Sequence, residues 1–461
     1  HKAKRAWPDQ PAKSRELPFV LFEGKAYAFS QHALHDHIYR VIENAVVGTD
    51  ERRRKKWNDR QKRCSERLAL TLLMQSLPGG TDFSSVFYDD QTGTRDECDV
   101  VILIDDHLFV LEVKAGAMSR KQPTAHGKSY IERLGALLGE PISQARRFVR
   151  AYRSGNTMTL YRSLGDKEGH VTLLGGLKPI VICVTLDQLT DFASQIEQFK
   201  ALGIEADSTI PVWPVSIDDL RVVMDLLRNP IQFIHFLRER LLAACTPWLY
   251  IDDELDHLGA YFLHGRYVSH MESRRSGGSW LQPRGYREQF ELYYHALYVG
   301  EAEVEAPSRR LPPIVYEILQ SIAASGKAGF VELGMMLMDC PFCDDIEHFI
   351  GRIVAQQVDG HAAPIVGKKD FPLALYVDLK GGPDISIHRA RATACAAMQL
   401  ASLEHWALLI VRLDAHGRLT GTHHEVVNSK TAKTLGEDVI RPVRHEMYKQ
   451  RSGTRRRGRI Q

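Results

Sequence analysis

Residues Glu97–Gly116 constrain this chain more tightly than any other stretch: they read ECDVVILIDDHLFVLEVKAG. Two apolar runs rich in β-branched residues flank a short polar turn at Asp105-Asp106, which is the signature of a β-hairpin. A two-residue turn pairs Ile104 with His107. Counting back along the strands then sets Asp99 opposite Glu112, and strand alternation puts Lys114 on the same face as Glu112. Val100–Ile104 and Leu108–Val113 are apolar on both faces, so both strands belong in the interior of a sheet. Charges in such strands are costly unless they are paired or bound to a metal. Three charged groups converging on one face of a buried hairpin mark the place where this chain is expected to do chemistry.

The chain has 461 residues, 44% hydrophobic and 25% charged, enough for two or three domains with a sizeable core. Its net charge of +3 is nearly balanced and names no partner. Seven cysteines at irregular spacing suit a reducing cytoplasm rather than a disulfide framework. No apolar run approaches a membrane span; Pro179–Leu186 is among the longest. The first residue is His1, so the chain is expected to be a piece of a longer protein or a processed form.

The order of patterns along the chain is that of an α/β protein. Pro18–Phe29 reads as a small hairpin around Glu23-Gly24-Lys25. Glu51–Arg63 holds eight Lys or Arg against two acids and leads into Ser65–Leu77, a helix apolar nearly all round and so expected to be buried. Ser84–Tyr88 is a short strand before the central hairpin. Met118–Lys128 is a polar loop, and Tyr130–Arg153 is helical, interrupted at Gly139 and Pro141. Pro179–Thr185 is an apolar strand and Leu186–Ala201 a helix. Ile210–Val215 is a strand placed at a sheet edge by Pro211 and Pro214. Ser216 N-caps a further helix. Later, Leu373–Leu379 and Asp384–His388 read as two strands, Ala390–Ser402 as a helix of small residues, and Trp406–Leu413 with Arg418–Val427 as a closing hairpin. No internal repeat is evident.

An acid on one strand, followed by Glu-x-Lys on its partner, is what metal-dependent phosphodiester cleavage needs. Asp99 and Glu112 would hold one or two Mg²⁺ (or Mn²⁺) ions through oxygen, the Val113 carbonyl would help complete the shell, and the Lys114 ammonium would stabilise charge in the transition state. These residues resemble the PD-(D/E)xK, or restriction-endonuclease-like, nuclease superfamily, and within it the nuclease-related (NERD-type) domains, whose hairpin often ends in Glu-Val-Lys, a small residue and Gly. Asp99 matches the first acid of the motif and Glu112-Val113-Lys114 its Glu-x-Lys. Glu66 matches the acid that the preceding helix often contributes. Gln144, eight residues before Tyr152, resembles the Gln-to-Tyr helix motif of RecB-like members. Cys98 departs from the pattern, standing where many members have Pro.

The resemblance implies a restriction-endonuclease-like core, a mixed sheet flanked by helices, with a C-terminal α+β domain beyond it. The expected division is residues 1–59, an arm, small hairpin and basic helix; 60–230, the nuclease core; 231–300, a helical extension and linker; and 301–461, the C-terminal domain. It also implies a Mg²⁺-dependent endonuclease acting on DNA and leaving 5′-phosphate ends, in bacterial DNA processing or antiphage defence. The C-terminal domain is expected to recognise substrate, regulate, or assemble the chain with itself or a partner protein. Basic segments Arg52–Lys56 and Arg60–Arg63, and Arg146, Arg147, Arg150 and Arg153, fit a phosphate backbone. The rival reading is a catalytically silent nucleic-acid-binding or sensor module with the same fold. Cys340-Pro341-Phe342-Cys343 can bind zinc or act as a redox pair, but no second Cys pair lies at finger spacing, and buried structural thiols are the expectation. Asp378-Leu379-Lys380 lacks a partner acid and is not counted as a second site.

Overall fold

In the computed structural model the described residues are 19–28, 41–43, 45–116, 131–189, 207, 209–301, 303–339, 343, 345–355, 365–366, 372–379 and 383–457. The expected Met118–Lys128 loop, nearly all of the Leu186–Ala201 helix, and Cys340 lie outside them. The small hairpin is present as β1 (Phe19–Phe22) and β2 (Lys25–Ala28).

A seven-stranded mixed sheet forms the centre. Its strands are β3 (Thr81–Asp89), β4 (Arg95–Ile104), β5 (His107–Lys114), β6 (Thr157–Tyr161), β7 (Val171–Leu174), β8 (Lys178–Thr185) and β9 (Val212–Ser216), in the order β7-β6-β3-β4-β5-β8-β9. The apolar hairpin strands lie inside the sheet, where both their faces are covered, and Ile104 pairs with His107 as the turn requires. The proline-bearing β9 takes one edge. Strands β6 and β7, five and four residues long, were not anticipated from sequence.

Helix α1 (Glu51–Ser76) is one continuous element, so the expected boundary between residues 59 and 60 falls within it. Asp50 caps it, accepting from the N–H groups of Arg52 and Arg53. Its second half is not buried all round. Ser65, Ala69, Leu72, Leu73 and Ser76 form a buried stripe, while Arg67, Thr71 and Gln75 face out. The first half, Glu51–Arg63, is almost wholly exposed. On the opposite face of the sheet, a π-helical turn (Gly135–Gly139) runs into α2 (Glu140–Arg153), with Pro141 in the first turn. Ser216 caps α3 (Ile217–Leu226), its hydroxyl accepting from Asp219 N–H. The helices α4 (Pro230–Ala244), α5 (Glu254–His264), α6 (Tyr267–Arg274) and α7 (Glu288–Val299) follow.

The C-terminal part holds α8 (Pro313–Ala324), α9 (Phe330–Asp339), α10 (Ile346–Ala355) and a separate four-stranded sheet. That sheet comprises β10 (Ile365–Val366), β11 (Leu373–Asp378), β12 (His405–Leu413) and β13 (Leu419–Asn428), in that order. Asp384–His388 is not a strand; it lies in α11 (Pro383–Ala401). Its period-two pattern is only five residues long. A proline suited to a helix start precedes it, and the alanine-rich run after it propagates the helix. The chain closes with α12 (Ser429–Leu435) and α13 (Glu437–Arg457).

Connectivity recurs between the two sheets, although no repeat is visible by sequence alone. In the first, β4 is antiparallel to β5, α2 lies between β5 and β8 in the chain, and β8 is parallel to β5. In the second, β10 is antiparallel to β11, α11 follows, and β12 is parallel to β11. Leu111-Glu112-Val113-Lys114-Ala115-Gly116 and Val377-Asp378-Leu379-Lys380-Gly381-Gly382 occupy corresponding places in the sequence of these two units. The match is too short to stand out until the strands are aligned.

One apolar core joins the segments that were expected to be separate. It contains Ala69 and Leu73 of α1, Ile102, Phe109, Leu111 and Val113 of the hairpin, Trp213, Phe233 and Phe236, and reaches Leu375, Val377, Leu409 and Val411 of the second sheet. A second cluster fills the α2 side of the first sheet, with Val101, Leu108, Val110, Phe148 and Tyr152. No helix among the described residues is long and apolar enough to cross a membrane.

Candidate functional site

The site lies where β4 and β5 part. Their ladder runs from the turn up to Val100 opposite Leu111, and the next step would set Asp99 against Glu112, as counted from the sequence. Instead of a further backbone pair, Asp99 Oδ2 accepts the Val113 N–H at 2.8 Å. Alternation breaks here: Cys98 and Val101 both belong to the core on the α2 side, whereas Val100 belongs to the core on the α1 side. Across the ladder, the position facing Asp99 on β3 is Ser85, which has φ of 50° and drops out of the pairing between Ser84–Val100 and Val86–Cys98. The three charges therefore do not share one simple face. Glu112 and Lys114 point to the α2 side. Asp99 stands at the break, where groups from α1 reach it.

Two lysines approach from opposite sides. Lys114 Nζ donates to Gln144 Oε1 of α2 at 2.9 Å, so Gln144 does reach the site. Tyr152 does not. Its hydroxyl donates to the Leu174 carbonyl and accepts the Leu177 N–H, which ties down the β7–β8 connection. From α1, Lys62 Nζ lies 3.5 Å from Glu66 Oε1, 3.7 Å from Asp99 Oδ1 and 3.8 Å from Glu97 Oε1. Glu66 therefore joins Asp99 as expected. Lys62 and Glu97 were missed. Lys62 sits in a run of bases that reads as a solvated face, and only its place four residues before Glu66 hinted otherwise.

Electrostatics follow from burial. Glu112 is 3% exposed, and its Oε1 has no hydrogen-bond partner. Burial raises its pKa well above the ordinary carboxylate value, the neighbouring Asp99 charge adds to this, and Lys114 opposes it. Burial and then Asp99 raise Glu66 in the same way. Burial works against the charge on Lys62, but Asp99, Glu97 and Glu66 outweigh it and raise its pKa. Cys98, which stands in the motif's proline position, is fully buried, and its thiol is pushed well up by burial.

These residues suit a hard divalent cation. The donors are carboxylate oxygens, and two buried acceptors, Glu66 Oε1 and Glu112 Oε1, have no hydrogen-bond partner. Among the described residues no three His, Cys, Asp or Glu side chains form a metal cage. Mg²⁺ is commonly held by one or two carboxylates, with waters filling the remaining positions. A pair of carboxylates at the ladder break is thus a sufficient donor set.

The basic groups of α2 are already engaged within the chain. Arg146 is buried and donates to the Ile210 carbonyl. Arg147 pairs with Asp96 at 2.8 Å and Arg150 with Asp207 at 3.0 Å, while Arg153 donates to the Thr209 carbonyl. Arg146 is thereby removed from the surface, whereas Arg147, Arg150 and Arg153 stay exposed beside their partners. The bases of α1 do remain exposed, Arg52–Lys56, Arg60 and Arg63 among them. Cys343 is buried, in keeping with a structural thiol.

No family model, no curated protein and no solved structure matches this chain.

Proposed function

We propose that this protein is a metal-dependent nuclease that hydrolyses DNA at the break between β4 and β5. The observation that carries the reading is the orphaned, buried Glu112 carboxylate facing Asp99, with Lys114 aimed by Gln144 one step along the strand. Burying such a carboxylate beside a second one is costly, and a bound cation relieves that cost. The topology supports the restriction-endonuclease-like reading: an antiparallel hairpin, a helix, and a strand parallel to the second hairpin strand.

Asp99 and Glu112 would hold Mg²⁺ or Mn²⁺, with Glu66 and the Val113 carbonyl as further oxygen donors. A cation held there supplies charge neutralisation on the scissile phosphate and makes an attacking water more acidic. The chain's own groups do the rest. The Val113 N–H orients the Asp99 carboxylate, Gln144 fixes the direction of the Lys114 ammonium, and that ammonium stabilises negative charge developing on phosphorus oxygens. The exposed bases of α1 lead toward the site and attract a phosphate backbone without regard to sequence.

The test is nicking of supercoiled plasmid with Mg²⁺ or Mn²⁺ by wild type and by Lys114→Ala. Wild type cuts, and the variant loses at least about a hundredfold in rate, the scale of one lost transition-state donor. Equal cutting by both refutes the assignment. Salt-dependent binding of DNA with no cutting by either would favour the silent binding module.

A further inference from the structure

We infer that Lys62 is a displaceable counter-cation of this centre: it holds the carboxylate cluster together without metal and yields its place when a divalent cation enters. The inference rests on the metal-centre reading above and assigns a role within it.

The two lysines are held in different ways. Lys114 makes a hydrogen bond of ordinary length to a neutral amide oxygen, so its direction is set by geometry. Lys62 makes no contact of that length. Its ammonium sits between three carboxylates at 3.5, 3.7 and 3.8 Å, held by charge from several directions at once. Those carboxylates come from α1 and from β4, where Asp99 stands at the irregular point and Glu97 two residues before it, so the lysine bridges helix and strand. Glu66 and Asp99 are among the proposed metal ligands, which means that the ammonium and an incoming cation compete for the same negative charge.

Lys62 can leave without disturbing the fold. Half of its side chain is exposed. It stands at the junction between the exposed basic half of that helix and the buried stripe that begins at Ser65. On release, its ammonium lies on the same face of α1 as Lys55, two turns before it, where a phosphate backbone would pass. Metal entry and phosphate capture are then linked through one side chain, which makes Lys62 a positioning residue.

The experiment is Mn²⁺ titration by calorimetry, with thermal melting in EDTA alongside, for wild type, Lys62→Met, Lys62→Arg and Asp99→Asn. Removing one competing charge within 4 Å should tighten Mn²⁺ binding about fivefold or more in Lys62→Met. The same variant should melt lower in EDTA, where its carboxylates lack a counter-charge, and show a larger upward shift on adding Mn²⁺. Lys62→Arg keeps the charge and should bind Mn²⁺ as wild type does. A Lys62→Met affinity equal to or weaker than wild type overturns the inference, even while Asp99→Asn still weakens binding and so upholds the metal centre. If Asp99→Asn binds Mn²⁺ as wild type does, or wild type binds none, the metal-centre reading falls and this inference falls with it.

Discussion

The tip of the central hairpin should be measurably tied to the C-terminal part of the chain. Asp105 occupies the turn with φ of 51°, and its carboxylate accepts the N–H of Gly329 at 2.7 Å and of Val331 at 3.0 Å. Helix α9 begins at Phe330, preceded by Gly329, which has no side chain to cap it. Asp105 therefore caps that helix from a distant part of the sequence. Beside it, Lys178 joins Asp106 at 2.9 Å and Glu332 at 2.6 Å. Losing an N-cap costs about 1 kcal/mol, and losing a carboxylate from a helix N-terminus costs roughly 0.3–1 kcal/mol. Asp105→Asn retains one acceptor and tolerates the positive φ, so it should lose about 1 kcal/mol. Asp105→Ala removes both acceptors and should lose about 2 kcal/mol. Urea denaturation followed by tryptophan fluorescence reads this directly, since Trp213 lies in the core shared by both parts and Trp406 in the second sheet. If both variants unfold within about 0.3 kcal/mol of wild type, the capping account is refuted, because the smaller expected effect exceeds that by about threefold.

Three further outcomes follow from the same contacts. A Lys55→Ala, Lys56→Ala, Arg60→Ala triple variant should bind DNA more weakly and with a salt slope shallower by about 2–3; Arg150→Ala, already paired with Asp207, should leave that slope unchanged when both are followed by anisotropy across a salt series. Glu254→Gln should destabilise by about 3–5 kcal/mol in denaturant, because Arg240 is fully buried and donates three hydrogen bonds to that carboxylate. His235 is fully buried, and burial lowers its pKa from 6.5 to about 4. Its folded pKa is depressed, so the neutral form contributes stability above pH 6.5, and that stability is lost as pH falls toward 4. The loss has an upper bound of about 3 kcal/mol. A His235→Gln variant with an equally steep loss of stability between pH 7 and pH 4.5 would contradict it.

Sequence and structure part company at particular residues. Turn chemistry at Asp105-Asp106 and the apolar runs around it made the hairpin register readable, and Gln144 was found through its resemblance to the Gln-to-Tyr helix motif. The alternation break at Asp99 was not readable. It depends on Ser85 of β3 leaving the ladder, and Ser85 gives no local sign of that. Arg146, Arg147, Arg150 and Arg153 look in sequence like a phosphate-binding ridge. Their partners Ile210, Asp96, Asp207 and Thr209 come from other elements, and only folding shows that these arginines are already engaged.

What the sequence determined by itself is the buried hairpin and its register from Ile104–His107 up to Val100–Leu111. Each of these follows from backbone periodicity and turn geometry, which act between near neighbours along the chain. What the tertiary structure decided is which remote groups meet: Lys62 among three acids, the arginines of α2 beside their partners, and Asp105 capping a helix of the C-terminal part. Those outcomes depend on side chains brought together from remote positions, and a charge has no local pattern that names its partner.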